Sequence, residues 1–267
     1  MKLKGLQVLI FFSYFKYNNI QMYKFINIFL VTILLSACSK NDLNNEIKLS
    51  TLIEADFSYT QDLFDCTLNE NESLISLESF FSKNIEKYKK IAELENLNIS
   101  ILFPQNNKNI TNFIISIISN NNPLGLKKFT EAIKSDAITE VASCSFAIFQ
   151  HKGINLKEEF NNNNSFINAE ILRCKYNDTY NFGTFQISIN RFINNLRTIE
   201  LPYSITYLED NSKNDSFIWI NYFYTEDYED ILLKNWANKE DSAEIQNEFS
   251  KNATCIDSKK YKSYKLI

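Results

Sequence analysis

The side chains with most scope for chemistry in this chain are five cysteines and a single histidine. An imidazole can act as a general base, but it needs an acid or a nucleophile within reach. Near His151 the sequence offers only Lys152, Glu158 and Glu159, on a stretch that reads as loop. His151 therefore reads as a solvated loop residue, and no catalytic residue is assigned. One imidazole also argues against a histidine-built metal centre or a haem site, so no metal and no cofactor are expected. An aromatic cluster, Tyr203, Tyr207, Trp219, Tyr222 and Tyr224, falls on two adjacent candidate strands and is the candidate ligand pocket. The acidic run Glu226, Asp227, Tyr228, Glu229, Asp230 lacks the spaced oxygens and turn glycine of a calcium loop. Acids at the start of a helix satisfy the helix dipole instead. No phosphate loop, dinucleotide fingerprint, nucleophile elbow, zinc-protease helix or CxxC pair occurs.

The first cysteine belongs to an address. Met22-Tyr23-Lys24 precedes an apolar run over 25–35 and then Leu35-Ser36-Ala37-Cys38. A basic start, a short apolar stretch and small residues before a cut describe a secretory signal. Leu-Ser-Ala-Cys resembles the bacterial lipobox. That resemblance implies cleavage before Cys38, a diacylglycerol on its sulfur and, with Ser39 following, an outer-membrane lipoprotein facing the periplasm. Residues 1–37 are then the signal, with Met22 the expected start, and 38–54 are the lipidated cysteine and a polar tether. Removing the leader takes Lys2, Lys4, Lys16 and Lys24 and no acid, which moves the net charge from -4 to -8. Such a chain has no basic excess for nucleic acid, and its membrane contact is expected through the lipid alone.

The 267 residues are 45% hydrophobic with only 4 Gly and 3 Pro, which excludes collagen-like, Gly-rich and disordered classes. Beyond the tether one pattern is written twice, at 55–152 and 165–267, across an Asn-rich spacer at 153–164. The first copy predicts a strand over 57–68, and then a helix through Leu74, Leu77, Phe81, Ile85, Tyr88 and Ala92. Strands follow at 97–103 and 112–119, a helix runs from Pro123 through Val141, and a short strand closes at 145–150. The second copy predicts strands over 166–176, 203–208, 217–224 and from 254, with helices through Phe182–Leu196 and from Tyr228 to Phe249. Cys66 and Cys174 fall late in the first strand of each copy, and Cys144 and Cys255 near the last. An even number of cysteines in an exported chain points to disulfides, and four allow three pairings.

The order βαββαβ resembles the ferredoxin-like fold, with spatial strand order 4-1-3-2. The resemblance implies that strands 1 and 4 are neighbours, and thus the pairs Cys66–Cys144 and Cys174–Cys255. The third strands are apolar at both parities, so each sheet needs cover on both faces. The expected fold is therefore α+β: two tandem ferredoxin-like repeats packed sheet to sheet. That makes a monomeric pseudo-dimer, similar to the dimeric α/β-barrel superfamily. Members of that superfamily include cofactor-free monooxygenases, haem enzymes and proteins without known activity, so the fold carries no function with it. The leading expectation is a membrane-anchored, non-enzymatic binding or interaction module. The alternative is a cofactor-independent, monooxygenase-like enzyme using the cavity between the sheets.

Overall fold

A computed structural model describes residues 58–105, 110–120, 122–157, 166–197, 203–210, 213, 215–225 and 235–267. The leader, Cys38, the tether, the acidic run at 226–230 and residues 158–164 of the spacer lie outside the described residues.

The first half opens with β1 (Tyr59–Leu68) and α1 (Leu74–Glu95), followed by β2 (Leu97–Pro104) and β3 (Asn112–Ser119). Helices α2 (Pro123–Ser135) and α3 (Ile138–Val141) then lead into β4 (Ala142–Cys144) and β5 (His151–Lys157). The second half comprises β6 (Ile167–Tyr176), α4 (Phe182–Arg197), β7 (Tyr203–Glu209), β8 (Ser216–Phe223), α5 (Ser242–Asn252) and β9 (Ala253–Lys265). Local chemistry sets the helix ends. Ser73 caps α1 in a reciprocal capping box with Ser76, and Asn96 closes it in the left-handed region at φ 53°. Asn122 accepts from the Gly125 N–H ahead of Pro123 at the first turn of α2.

All pairings are antiparallel, and the strands run β3-β2-β9-β6-β8-β7-β5-β1 and back to β3, which closes a barrel. Within each half the pairing order is last strand, first, third, second. The halves join where β5 pairs with β7 and where β9, after β6, pairs with β2. Closure leaves no strand edge open at either junction. Side chains alternate along the strands, so three cores result. One fills the barrel, with Tyr59, Leu102, Ile114, Ile171, Leu208, Ile218 and Ile220. The other two lie between the outer sheet faces and the helices of the first and second halves.

The closing strand of the first half departs from the pattern expected of it. The strand expected at 145–150 is irregular, and strand structure instead occupies 142–144 and 151–157. The spacer expected from 153 begins as strand, because Ile154 enters the second helix-side core while Gly153 and Asn155 pair with Leu208 and Thr206. Gly153 is needed for space. A Cβ there would lie 2.1 Å from Cε2 of Tyr59, whose ring lies across the glycine opposite it in the ladder. Cysteines pair within halves, Cys66 with Cys144 and Cys174 with Cys255, each directly across a strand pair.

Candidate functional site

Asp62 sits mid-strand in β1, 1% exposed, on the face shared with Phe64 and Cys66. A buried carboxylate must be compensated. Its Oδ1 accepts the backbone N–H groups of Phe149 and Gln150 at 2.9 Å each, and Oδ2 accepts that of Gln150 at 3.1 Å. These bonds hold the irregular segment 145–150 against β1, and Gln150 turns it back into the sheet at φ 52°. The next residue is His151.

The structure corrects the expectation of a solvated loop histidine. His151 opens β5 opposite Gln61 and is 6% exposed. Its Nδ1 lies 3.5 Å from Asp62 Oδ1, and its Nε2 lies 3.7 Å from Oδ1 of Asp210, just past β7. Asp210 is itself oriented by the Ser216 hydroxyl, which donates to Oδ2 at 3.0 Å. The Phe149 ring meets the imidazole at 5.5 Å between centroids. Nδ1 of His151 and Oε1 of the neighbouring Gln61 are buried without hydrogen-bond partners. Gln61 donates to Ser116 at 2.9 Å, and further along the same junction Tyr59 donates to Asn155 at 2.9 Å and to Thr206 at 3.3 Å. The seam between the halves is thus lined by polar side chains, with the imidazole between two carboxylates at one end. Such an arrangement can move a proton and hold the imidazole in a fixed orientation. The partners lie 89 and 59 residues away in sequence, so no local signal near His151 reveals them.

The aromatic candidates divide between the two faces of the sheet. Tyr203, Tyr207 and Trp219 face the helices and pack in one core with Phe185, Phe192 and Phe249, whereas Tyr222 packs on the barrel interior. Tyr224 pairs its hydroxyl with that of Ser204 at 2.9 Å. The helix-side group leaves only about 20 Å³ of free space beside Trp219, so it is core with a polar base. That base is Asn221, wholly buried. Its Oδ1 accepts from Tyr203 and from Trp219 Nε1 at 2.7 Å each, and its amide donates to Glu170 at 3.1 Å. Ser258 donates to the other Glu170 oxygen at 2.9 Å. Burial pushes the Tyr203 phenol well above its ordinary range, and the Glu170 charge adds to the effect. Burial also lowers the nearby Lys260 ammonium, an effect that Glu170 opposes.

A haem would need an axial ligand and a slot for the macrocycle. The imidazole is enclosed between Asp62 and Asp210 at the seam, the four paired cysteines are in disulfides, and the aromatic core beside Trp219 has room for little more than a water. A histidine-ligated haem does not fit these residues. Among the described residues no group of three or more His, Cys, Asp or Glu is arranged to hold a metal ion, and no helix is long and apolar enough to cross a membrane.

No protein-family model matches the chain, and no curated protein matches it in sequence. Solved structures do match it in shape. A protein from Fusobacterium nucleatum subsp. nucleatum ATCC 25586, described as a "putative monooxygenase", superposes with TM-score 0.54 at 13% identity, covering 79% of this chain and 93% of that one. A second protein so described, from Lactobacillus acidophilus NCFM, gives 0.50 at 10% identity over 78% and 95%. A chlorite dismutase variant from Candidatus Nitrospira defluvii gives 0.53 at 9% identity over 81% and 95%. These neighbours overturn the leading expectation of a non-enzymatic binding module and favour its enzyme alternative. At such identities the likeness itself is one of fold: an α+β chain whose antiparallel sheet closes into a barrel, as in the dimeric α/β-barrel superfamily.

Proposed function

We propose that this chain is a monooxygenase-like enzyme that works without a bound cofactor, with His151 as its proton-transferring base. The observation that carries this reading is the burial of the sole imidazole between Asp62 and Asp210 at the seam where the halves meet. Without a cofactor, the substrate itself must supply electrons to dioxygen. Removing a proton from an electron-rich phenol or an activated C–H makes it a better donor; Asp210, the more exposed of the two carboxylates, is the side from which that proton reaches the enclosed His151. Asp62 positions the ring and ties down the segment before it, while Asp210 holds the opposite nitrogen. Oxygen uptake by the purified chain with a panel of hydroquinones and 1,3-dicarbonyl compounds tests the reading. His151→Ala should lower kcat by about a hundredfold or more, and added imidazole should restore part of it. Turnover unchanged in that variant would refute the assignment.

The same proposal takes each half as one ferredoxin-like unit, supported by the common pairing order and by one disulfide per half. The first unit runs from 55 through the end of β5 and the second from 165 to 267. The leader ending in Leu35-Ser36-Ala37-Cys38 supports lipidation at Cys38 and a place at the outer membrane, facing the periplasm. Metabolic labelling with a fatty acid, lost in Cys38→Ser, is the test of that part.

A further inference from the structure

A groove of about 660 Å³ lies in the first half, away from His151, between α1 and the outward faces of β2 and β9. Leu77, Phe81 and Ile85 form its helix wall, and Ile101, Phe103 and Tyr264 its floor. That volume lies within the range of small-molecule sites, and the lining is of the usual apolar kind. Its polar groups are few. Ser82 and Glu78 stand on the helix side, where Glu78 is exposed, and Lys262 stands on the sheet. The Lys262 ammonium lies 4.5 Å over the Phe166 ring and forms no ion pair among the described residues. Strand alternation puts Lys260 on the same face two residues earlier, where Glu170 answers its charge. Among the described residues the sheet side of the groove therefore ends in a cation without an ion-pair partner, in a chain whose net charge is -4.

We infer that this groove binds a free, single-chain fatty acid, its carboxylate at Lys262 and its chain along the apolar wall of α1. A long apolar body with one anionic end matches a long apolar lining with one cationic end. The inference does not rest on the proposed enzyme activity. Dodecanoate, displacing cis-parinaric acid from the full chain, is the probe, with dodecanol as the uncharged comparison and phosphatidylglycerol vesicles as the lipid-surface comparison. Dodecanoate should bind at one site, at least tenfold tighter than dodecanol. Lys262→Gln should abolish that preference, and Glu78→Gln should strengthen it. Ser82→Trp, on the exposed helix flank, should fill the groove and weaken both ligands at least tenfold. Equal affinity for acid and alcohol in the unaltered chain overturns the inference. So does binding to vesicles without binding to monomeric dodecanoate, or wild-type affinity in both Lys262→Gln and Ser82→Trp.

Discussion

Replacing Asn221 with Asp tests the buried network of the second half through its pH dependence. The Asn221 carboxamide takes two donors on Oδ1, from Tyr203 and Trp219, and gives one hydrogen bond to Glu170 at 3.1 Å. Asn221→Asp keeps the acceptor and the shape but sets a second carboxyl against Glu170, which is 2% exposed. Two carboxyls so close and so buried cannot both ionise, so the new group keeps its proton in the folded state. An unfolded Asp releases its proton near pH 3.9. The folded value is therefore the raised one, so the variant's stability is highest below that pH and falls as pH rises. Each unit of pH over which only the folded chain holds the proton costs about 1.4 kcal/mol, or roughly 4 kcal/mol by pH 7. Asn221→Leu strands the Tyr203 and Trp219 donors and one Glu170 oxygen, and costs roughly 5 kcal/mol with little dependence on pH. Urea unfolding followed by tryptophan fluorescence at pH 4.5 and pH 7.5 gives the comparison. Equal deficits for Asn221→Asp at both values would refute the claim that Glu170 and Asn221 share a dry, charge-intolerant site.

Gly153→Ala drives a methyl into the Tyr59 ring, which must then surrender its bonds to Asn155 and Thr206. The expected cost is about 2–4 kcal/mol, falling below about 1 kcal/mol in a Tyr59→Ala background; an equal cost in both backgrounds would contradict the packing argument. The disulfides close separations of 78 and 81 residues, so removing either pair of cysteines should lower stability by about 4.5 kcal/mol on the chain-entropy account. Denaturant midpoints of the two double-alanine variants should match, and a difference above about 2 kcal/mol would show that the halves do not use their bridges alike. Burial holds the phenols of Tyr176, Tyr203 and Tyr207 above their ordinary value, and that of Tyr261 is pushed up to about 12. Below pH 10 both folded and unfolded chains keep these protons; above it only the folded chain does, so stability should fall steeply with alkali. Ultraviolet titration should show these rings ionising together with unfolding, and smooth ionisation of every tyrosine in the folded chain would oppose the assigned burial.

Much of this architecture is legible in sequence because burial is periodic. Leu77, Phe81, Tyr88 and Ala92 recur at helical spacing and are buried in α1, and Phe113, Ile115 and Ile117 alternate into one core while Ile114 enters another. The cysteines are legible because both halves repeat them. The site is not legible in the same way, since it depends on pairing across the halves. Asp62 and Asp210 reach His151 only because β5 pairs with β1 on one side and β7 on the other. The strand that carries His151 was hidden by the irregular segment before it, which breaks the alternation over 145–150. A usable signal was present in β1 and β6: an acid stands four residues before the cysteine in each, among apolar neighbours on the helix-facing parity. A charge at such a position demands a partner.

That repeated acid also shows why the two junctions differ. Asp62 and Glu170 occupy equivalent places in their halves, both buried, both on the helix-facing side of a first strand. In the second half β9 runs unbroken beside β6, apart from one register shift, and leaves few backbone donors unpaired there; Glu170 is satisfied by the side chains of Asn221 and Ser258. In the first half the corresponding strand is split into β4 and β5, and the freed N–H groups of Phe149 and Gln150 go to Asp62. Side-chain donors close the first arrangement into a core. Backbone donors leave the second with a carboxylate edge for the imidazole that follows. The split strand is therefore what sets an imidazole beside a buried carboxylate at one seam, and restoring continuity there would remove the site without removing the fold. Deleting residues 147 and 148, the two by which the registers of β4 and β5 on β1 differ, should leave the barrel and both disulfides intact, as read by circular dichroism and peptide mapping, while abolishing any turnover that depends on His151. Survival of that turnover in the shortened chain would place the chemistry elsewhere.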